Sequence, residues 1–158
     1  MKTLILGLGN PLLGDDGVGW RVAEAVRPQV TNPEVEVDCL AGGGLSLMER
    51  LIGYDRAILV DAMTTGRAPQ GTVSCFDLEQ LPDPTASHLT SVHETSLKTA
   101  LRLGASLELA LPQKVLVVAI ESQQVYDFSE ELSPPVMAAV PKAVQCIVAT
   151  GWLSPPVG

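Results

Sequence analysis

The sequence predicts an α/β domain in three layers, with a largely parallel, twisted sheet flanked by helices and a site at the carboxyl ends of the strands. Three observations predict it. Short, nearly continuous runs of Leu, Ile, Val and Ala recur along the chain, as in strands covered on both faces. They alternate with segments whose apolar residues follow a helical period. Glycines and acids punctuate the ends of the runs, where turns leave the sheet. With 158 residues, 46% of them hydrophobic, the chain fits one domain spanning 1–158, its 151–158 tail expected to be loosely ordered.

The elements follow in order. Thr3 to Gly9 (TLILGLG) is a buried strand that runs into glycines. Val18 to Val26 is a helix with Val18, Val22, Ala23, Ala25 and Val26 along one stripe. Val35 to Leu40 is a second strand, stopped by Gly42-Gly43-Gly44, and Leu45 to Ile52 is a short helix with Gly53 as its C-cap. Arg56 to Ala62 is a third strand, apolar after its first residue until Asp61, and Gly71 to Leu78 a fourth. Leu81 to Ser91, rich in proline and hydroxyls, is a surface loop. Glu94 to Leu103 is a helix and Lys114 to Ile120 another buried strand. The last helix covers Pro135 to Thr150, with proline in its first turn and Gly151 past its end. Pro141 predicts a kink there or a later start.

Composition removes several function classes. The net charge is −8 and no basic cluster occurs, so the cationic footprint of a nucleic-acid binder is missing. No apolar run approaches the roughly 18 residues of a membrane span, and the N-terminal stretch lacks a signal-peptide cleavage pattern. Cys39, Cys75 and Cys146 are scattered and odd in number, which suits small buried hydrophobes in a reducing cytoplasm rather than a disulfide framework.

The chemistry concentrates at strand ends. The loop after the first strand carries Asn10, Asp15 and Asp16 among glycines 9, 14, 17 and 19. The third strand ends on Asp61. If that strand lies on the far side of the first from the second, the two loops become neighbours at the switch point of the sheet, and their carboxylates converge. Asp61 has two readings: a cap on its own turn, or a carboxylate kept in an apolar setting because it is paired or binds a cation. Of Asp15 and Asp16, one suits capping the following helix, which leaves the other for function. His93, just before a helix, is the third candidate, and two carboxylates with an imidazole suit a borderline divalent metal such as nickel or zinc. His88, five residues earlier and on no common helical face with His93, is held as a spare. A dinucleotide fingerprint fails because Leu12 stands where its third glycine belongs, and a phosphate loop fails for want of lysine between Lys2 and Lys98.

These residues resemble the maturation peptidases of nickel–iron hydrogenases. The resemblance rests on Gly7-x-Gly9-Asn10 with Leu13 and Asp15-Asp16-Gly17-Val18-Gly19, on Gly42-Gly43, on Val60-Asp61-Ala62 followed by Pro69-x-Gly71-Thr72, and on His93 before a helix. Gly44 departs from the pattern, standing where a threonine often follows the glycine pair. The resemblance implies a cytoplasmic endopeptidase that trims a short C-terminal extension from the precursor of a nickel–iron hydrogenase large subunit. It further implies that Asp16, Asp61 and His93 are the catalytic and metal-contacting residues, and that the nickel is supplied by the precursor. Asp16 is the favoured general base.

Two rivals are weighed against it. Gly7-Leu8-Gly9-Asn10-Pro11 also opens peptidyl-tRNA hydrolases, but the acidic continuation and the negative charge disfavour them. A non-catalytic nickel-sensing chaperone or checkpoint on the same scaffold would use the same three ligands.

Overall fold

The computed structural model describes residues 1–81, 88–90, 96–123 and 127–157. Five strands form one sheet in the order β2-β1-β3-β5-β4. They are β1 (Thr3–Leu8), β2 (Val35–Leu40), β3 (Arg56–Met63), β4 (Val73–Asp77) and β5 (Lys114–Glu121). All neighbours are parallel except β4, which runs antiparallel along β5 at one edge. The sheet is thus the largely parallel one expected from the apolar runs.

Side-chain alternation divides the core into two layers. Leu4, Leu6 and Leu8 of β1 and Leu59 and Met63 of β3 face one side, where helices α2 (Gly44–Leu51) and α3 (Leu97–Ser106) cover them through Leu47, Leu51, Leu97 and Ala100. Ile5, Ile58, Val60 and Ile120 face the other, under α1 (Val18–Val26) and α4 (Pro134–Val148). A strand buried on both faces needs apolar residues at every position, which is why β1 and β3 read as unbroken runs.

The structure departs from the sequence expectations in four places. α3 starts at Leu97 rather than Glu94, because Ser96 caps it by accepting the Thr99 N–H; residues 94 and 95 themselves lie outside the described residues. α4 starts at Pro134 and runs through Pro141 without the later start. Its buried face, Val136 and Ala139 on one side of the proline and Ala143, Val144 and Ile147 on the other, outweighs the one missing N–H on the exposed side. The chain after Gly151 is not a loose tail at its start. The Leu153 side chain is buried, its carbonyl accepts the Thr31 and Asn32 N–H groups at 2.8 and 3.0 Å, and the Trp152 ring lies under the Arg56 guanidinium. Finally, none of the three cysteines is fully buried: Cys75 is exposed on the edge strand, and Cys39 and Cys146 are half-buried. Among the described residues no helix is long and apolar enough to cross a membrane.

Candidate active site

The strand order places β1 between β2 and β3, so the chain leaves β1 and reverses toward β3 at the switch point of the sheet. Residues after β1 and at the end of β3 therefore share one crevice. The first loop folds tightly on itself. The Asn10 side chain accepts the Leu12 N–H at 2.9 Å, and the Asn10 N–H donates to Asp16 Oδ2 at 2.8 Å. Gly9, at φ +125°, has the Asp16 carbonyl pressed against the space a Cβ would fill. The loop glycines are thus explained by the loop packing against its own backbone around Asp16.

The adjacent acids point to different work. Asp15, only 4% exposed, accepts the Ser133 N–H and the Ser133 hydroxyl, both at 2.7 Å. It ties the loop to the start of α4, not to the helix that follows it in sequence, and α1 has no side-chain cap. Asp16 is left facing the crevice.

Asp61 stands one residue past the last β1–β3 pair, on the face shared by Leu59 and Met63, and is fully buried. It does not cap its own turn. Its partner is His88, whose main-chain N–H donates to Oδ2 at 2.9 Å and whose Nδ1 lies 2.7 Å from Oδ1. The other ring nitrogen, Nε2, lies 3.3 Å from Asp16 Oδ2. One imidazole therefore bridges the two carboxylates that the sequence singled out. His88 is pinned there by its neighbour, since the Leu89 side chain is fully buried in the α2/α3 core and the Leu89 carbonyl accepts the Leu97 N–H. His93 lies outside the described residues.

The electrostatics follow from these contacts. Burial pushes the Asp16 carboxyl up, but the His88 hydrogen bond, the His88 charge and the Asn10 N–H together hold it below the usual carboxylate range. Complete burial pushes Asp61 up, against the opposing hydrogen bonds and charge of His88. His88, with Asp16 and then Asp61 as acceptors, is pushed up to about 10 despite its burial. At neutral pH the crevice holds an imidazolium facing an ionised Asp16. Two carboxylates and an imidazole are the mixed oxygen and nitrogen donors that borderline divalent cations take. Here they are spent on one another, and among the described residues no three His, Cys, Asp or Glu groups are disposed to hold an ion.

Glu121 ends β5 beside Met63 of β3. Its buried carboxylate accepts the N–H groups of Thr65 and Gly66 at 3.0 and 3.2 Å and the Thr65 hydroxyl, which fixes the loop that leaves β3. Sequence reasoning did not single it out, although an acid closing an apolar run is the same signal that marks Asp61. A surface hollow of about 410 Å³ lies elsewhere, along β2, lined by Arg27, Glu36, Asp38 and Arg50. Arg50 already pairs with Asp38 at 3.1 Å, and the hollow has no part in the crevice.

Known proteins with this pattern converge on one family. The chain is 31% identical to the hydrogenase expression/formation protein HoxM of Azotobacter vinelandii, over 91% of this chain and 69% of that one. It is 28% identical to the hydrogenase 2 maturation protease of Escherichia coli, over 94% and 90%. The structure of the hydrogenase maturating endopeptidase HybD from E. coli superposes with a TM-score of 0.76 at 26% identity, covering 95% of this chain and 91% of that one. A [NiFe] hydrogenase maturation protease HybD from Thermococcus kodakarensis gives 0.67 at 26%, over 95% and 99%. The family model for hydrogenase maturation protease matches residues 20–150, and the chain belongs to that family.

Proposed function

We propose that this protease removes a short C-terminal extension from the nickel-loaded precursor of a nickel–iron hydrogenase large subunit, in the cytoplasm. The observation that carries the reading is the convergence of Asp16 and Asp61, from the ends of two adjacent strands, on one crevice with a single imidazole between them. Asp16 is partly exposed, so a water in the crevice can reach its carboxylate. In the reading, a water loses its proton to Asp16 as it adds to the scissile carbonyl carbon. The same proton passes to the leaving amine as the C–N bond breaks. Asp61 is fully buried and serves to hold and orient rather than to exchange protons with solvent. The nickel belongs to the substrate. Asp16, Asp61 and His93 are the groups that would meet it, and it would orient the scissile peptide and polarise its carbonyl.

The test is to incubate the protein with nickel-loaded and nickel-free precursor and follow the precursor's mass. Loss of a C-terminal fragment from the nickel-loaded form alone is expected. Asp16→Asn keeps the shape and removes the base, and should slow cleavage at least roughly a hundredfold. Asp61→Asn and His93→Ala should also stop processing. An intact C-terminus at stoichiometric enzyme would overturn the peptidase reading in favour of a non-cutting checkpoint.

A further inference from the structure

Resting on that function, we propose that His88 is a built-in stand-in for the substrate's metal: its ring fills the gap between Asp16 and Asp61 in the free enzyme, keeps free divalent ions out, and swings aside when the precursor presents its own.

Three features of the geometry carry this. The first is occupancy. Both ring nitrogens are engaged, Nδ1 with Asp61 at 2.7 Å and Nε2 with Asp16 at 3.3 Å, so the ring lies where a cation bridging these carboxylates would sit. The second is that the ring can leave without the residue leaving. The backbone is held separately, by the His88 N–H on Asp61 Oδ2 and by the buried Leu89 next to it. Rotation about the side-chain bonds frees the ring from both carboxylates while the His88 and Leu89 backbone stays in place. The third is the asymmetry of the two contacts. The Asp61 carboxylate is fully buried and 2.7 Å from the ring, whereas the Asp16 carboxylate is 28% exposed and 3.3 Å away. The ring detaches first from Asp16, on the side a macromolecular substrate approaches.

The arrangement acts on specificity. A bare pair of carboxylates would collect any divalent ion and be blocked by it. A tethered ring already hydrogen-bonded to both carboxylates competes with dilute free ions at high effective concentration, and yields to a metal delivered by a docked protein whose binding offsets the exchange.

The proposal is tested by calorimetric titration of the full chain with nickel chloride. Wild type should bind weakly, and His88→Ala at least tenfold more tightly. Adding Asp16→Asn to that variant should return it to weak binding. Weaker or unchanged nickel affinity in His88→Ala would overturn the proposal and make His88 a ligand or a bystander. His88→Gln, which keeps one hydrogen bond, guards against a folding defect and should bind with intermediate affinity; affinity at or below wild type refutes the proposal equally. In the precursor assay, added nickel chloride should inhibit His88→Ala at lower concentrations than wild type, and equal inhibition would count against the stand-in role. Failure of wild type to process any precursor would refute the proposed function, while the titration still decides the role of His88.

Discussion

Gly19 sits at the point where α1 touches the sheet, three residues after Asp16, and replacing it with alanine tests how much stability depends on that close approach. A Cβ there would lie 2.5 Å from the Leu8 carbonyl oxygen and 2.9 Å from the Leu8 nitrogen, and against the Val60 carbonyl as well. Carbon–oxygen contacts settle at about 3.3 Å or more, so α1 would have to withdraw by roughly 0.8 Å. The obstacles are backbone atoms of β1 and β3, which cannot turn aside as a side chain would. Overpacking of this kind costs about 1–3 kcal/mol or more, while alanine recovers up to about 1 kcal/mol of helix propensity. A net loss of about 2 kcal/mol lowers the Tm of a domain this size by roughly 4–8 °C. Gly104 in α3 is the control. The atoms a Cβ would meet there are the ends of Leu111 and Met48 side chains, at 2.7 and 3.2 Å, which can move. Gly104→Ala should therefore stay within about 1 kcal/mol of wild type, propensity gain against repacking. Thermal unfolding followed by circular dichroism compares the two. A Gly19→Ala protein that melts within a degree of wild type, or below which Gly104→Ala falls, would refute the reasoning.

Two further outcomes follow from named contacts. Asp15→Ala removes two charge-assisted hydrogen bonds to Ser133 from a buried position, and should cost roughly 2–4 kcal/mol in urea unfolding; a loss under about 0.5 kcal/mol would show that the clasp between the loop and α4 does not bear on stability. The second concerns pH. His88 is raised in the folded protein to about 10 from an ordinary 6.5, so its contribution to stability is fully present below pH 6.5 and is lost as pH rises toward 10. Between pH 7 and 9 wild type should therefore lose stability faster than His88→Gln, by at most about 1.4 kcal/mol per pH unit for one proton. The Cys39 thiol, raised to about 11 by burial, is the same in both proteins and cancels in the comparison. Parallel pH profiles for the two would show that His88 binds no extra proton on folding.

The acids of the site could be read from sequence because their cost is local. An aspartate ending an apolar run must be paid for by partners wherever the strand lies, and Asp61 meets that requirement with the main chain and ring of His88. The strand order that brings Asp16 beside it has no such local origin, because the right-handed crossover fixes the face each helix covers and not that β3 takes the side of β1 opposite β2. Partners recruited across the fold left no such trace. Asp15 looks like a cap for the next helix, yet its acceptor oxygens serve Ser133, 118 residues away. The continuation of α4 through Pro141 likewise depends on what its buried face meets, which no local rule contains.

His88 shows most clearly where local reading stops. Nothing in its polar loop distinguishes it from a solvated surface histidine, and its spacing from His93 suggests no shared helix face. The informative residue was its neighbour. Leu89 is a large apolar side chain in a stretch of prolines and hydroxyls, and it is fully buried in the core beneath Asp61. Burying that leucine brings His88 next to it against the sheet, and the His88 N–H and ring then satisfy a carboxylate that water cannot reach. The dependence runs both ways, because a buried Asp61 without those donors would leave an unsatisfied polar group in the core. Core packing and site chemistry are thus one requirement here, and an isolated leucine in a polar loop is the sequence mark by which such an arrangement can be sought.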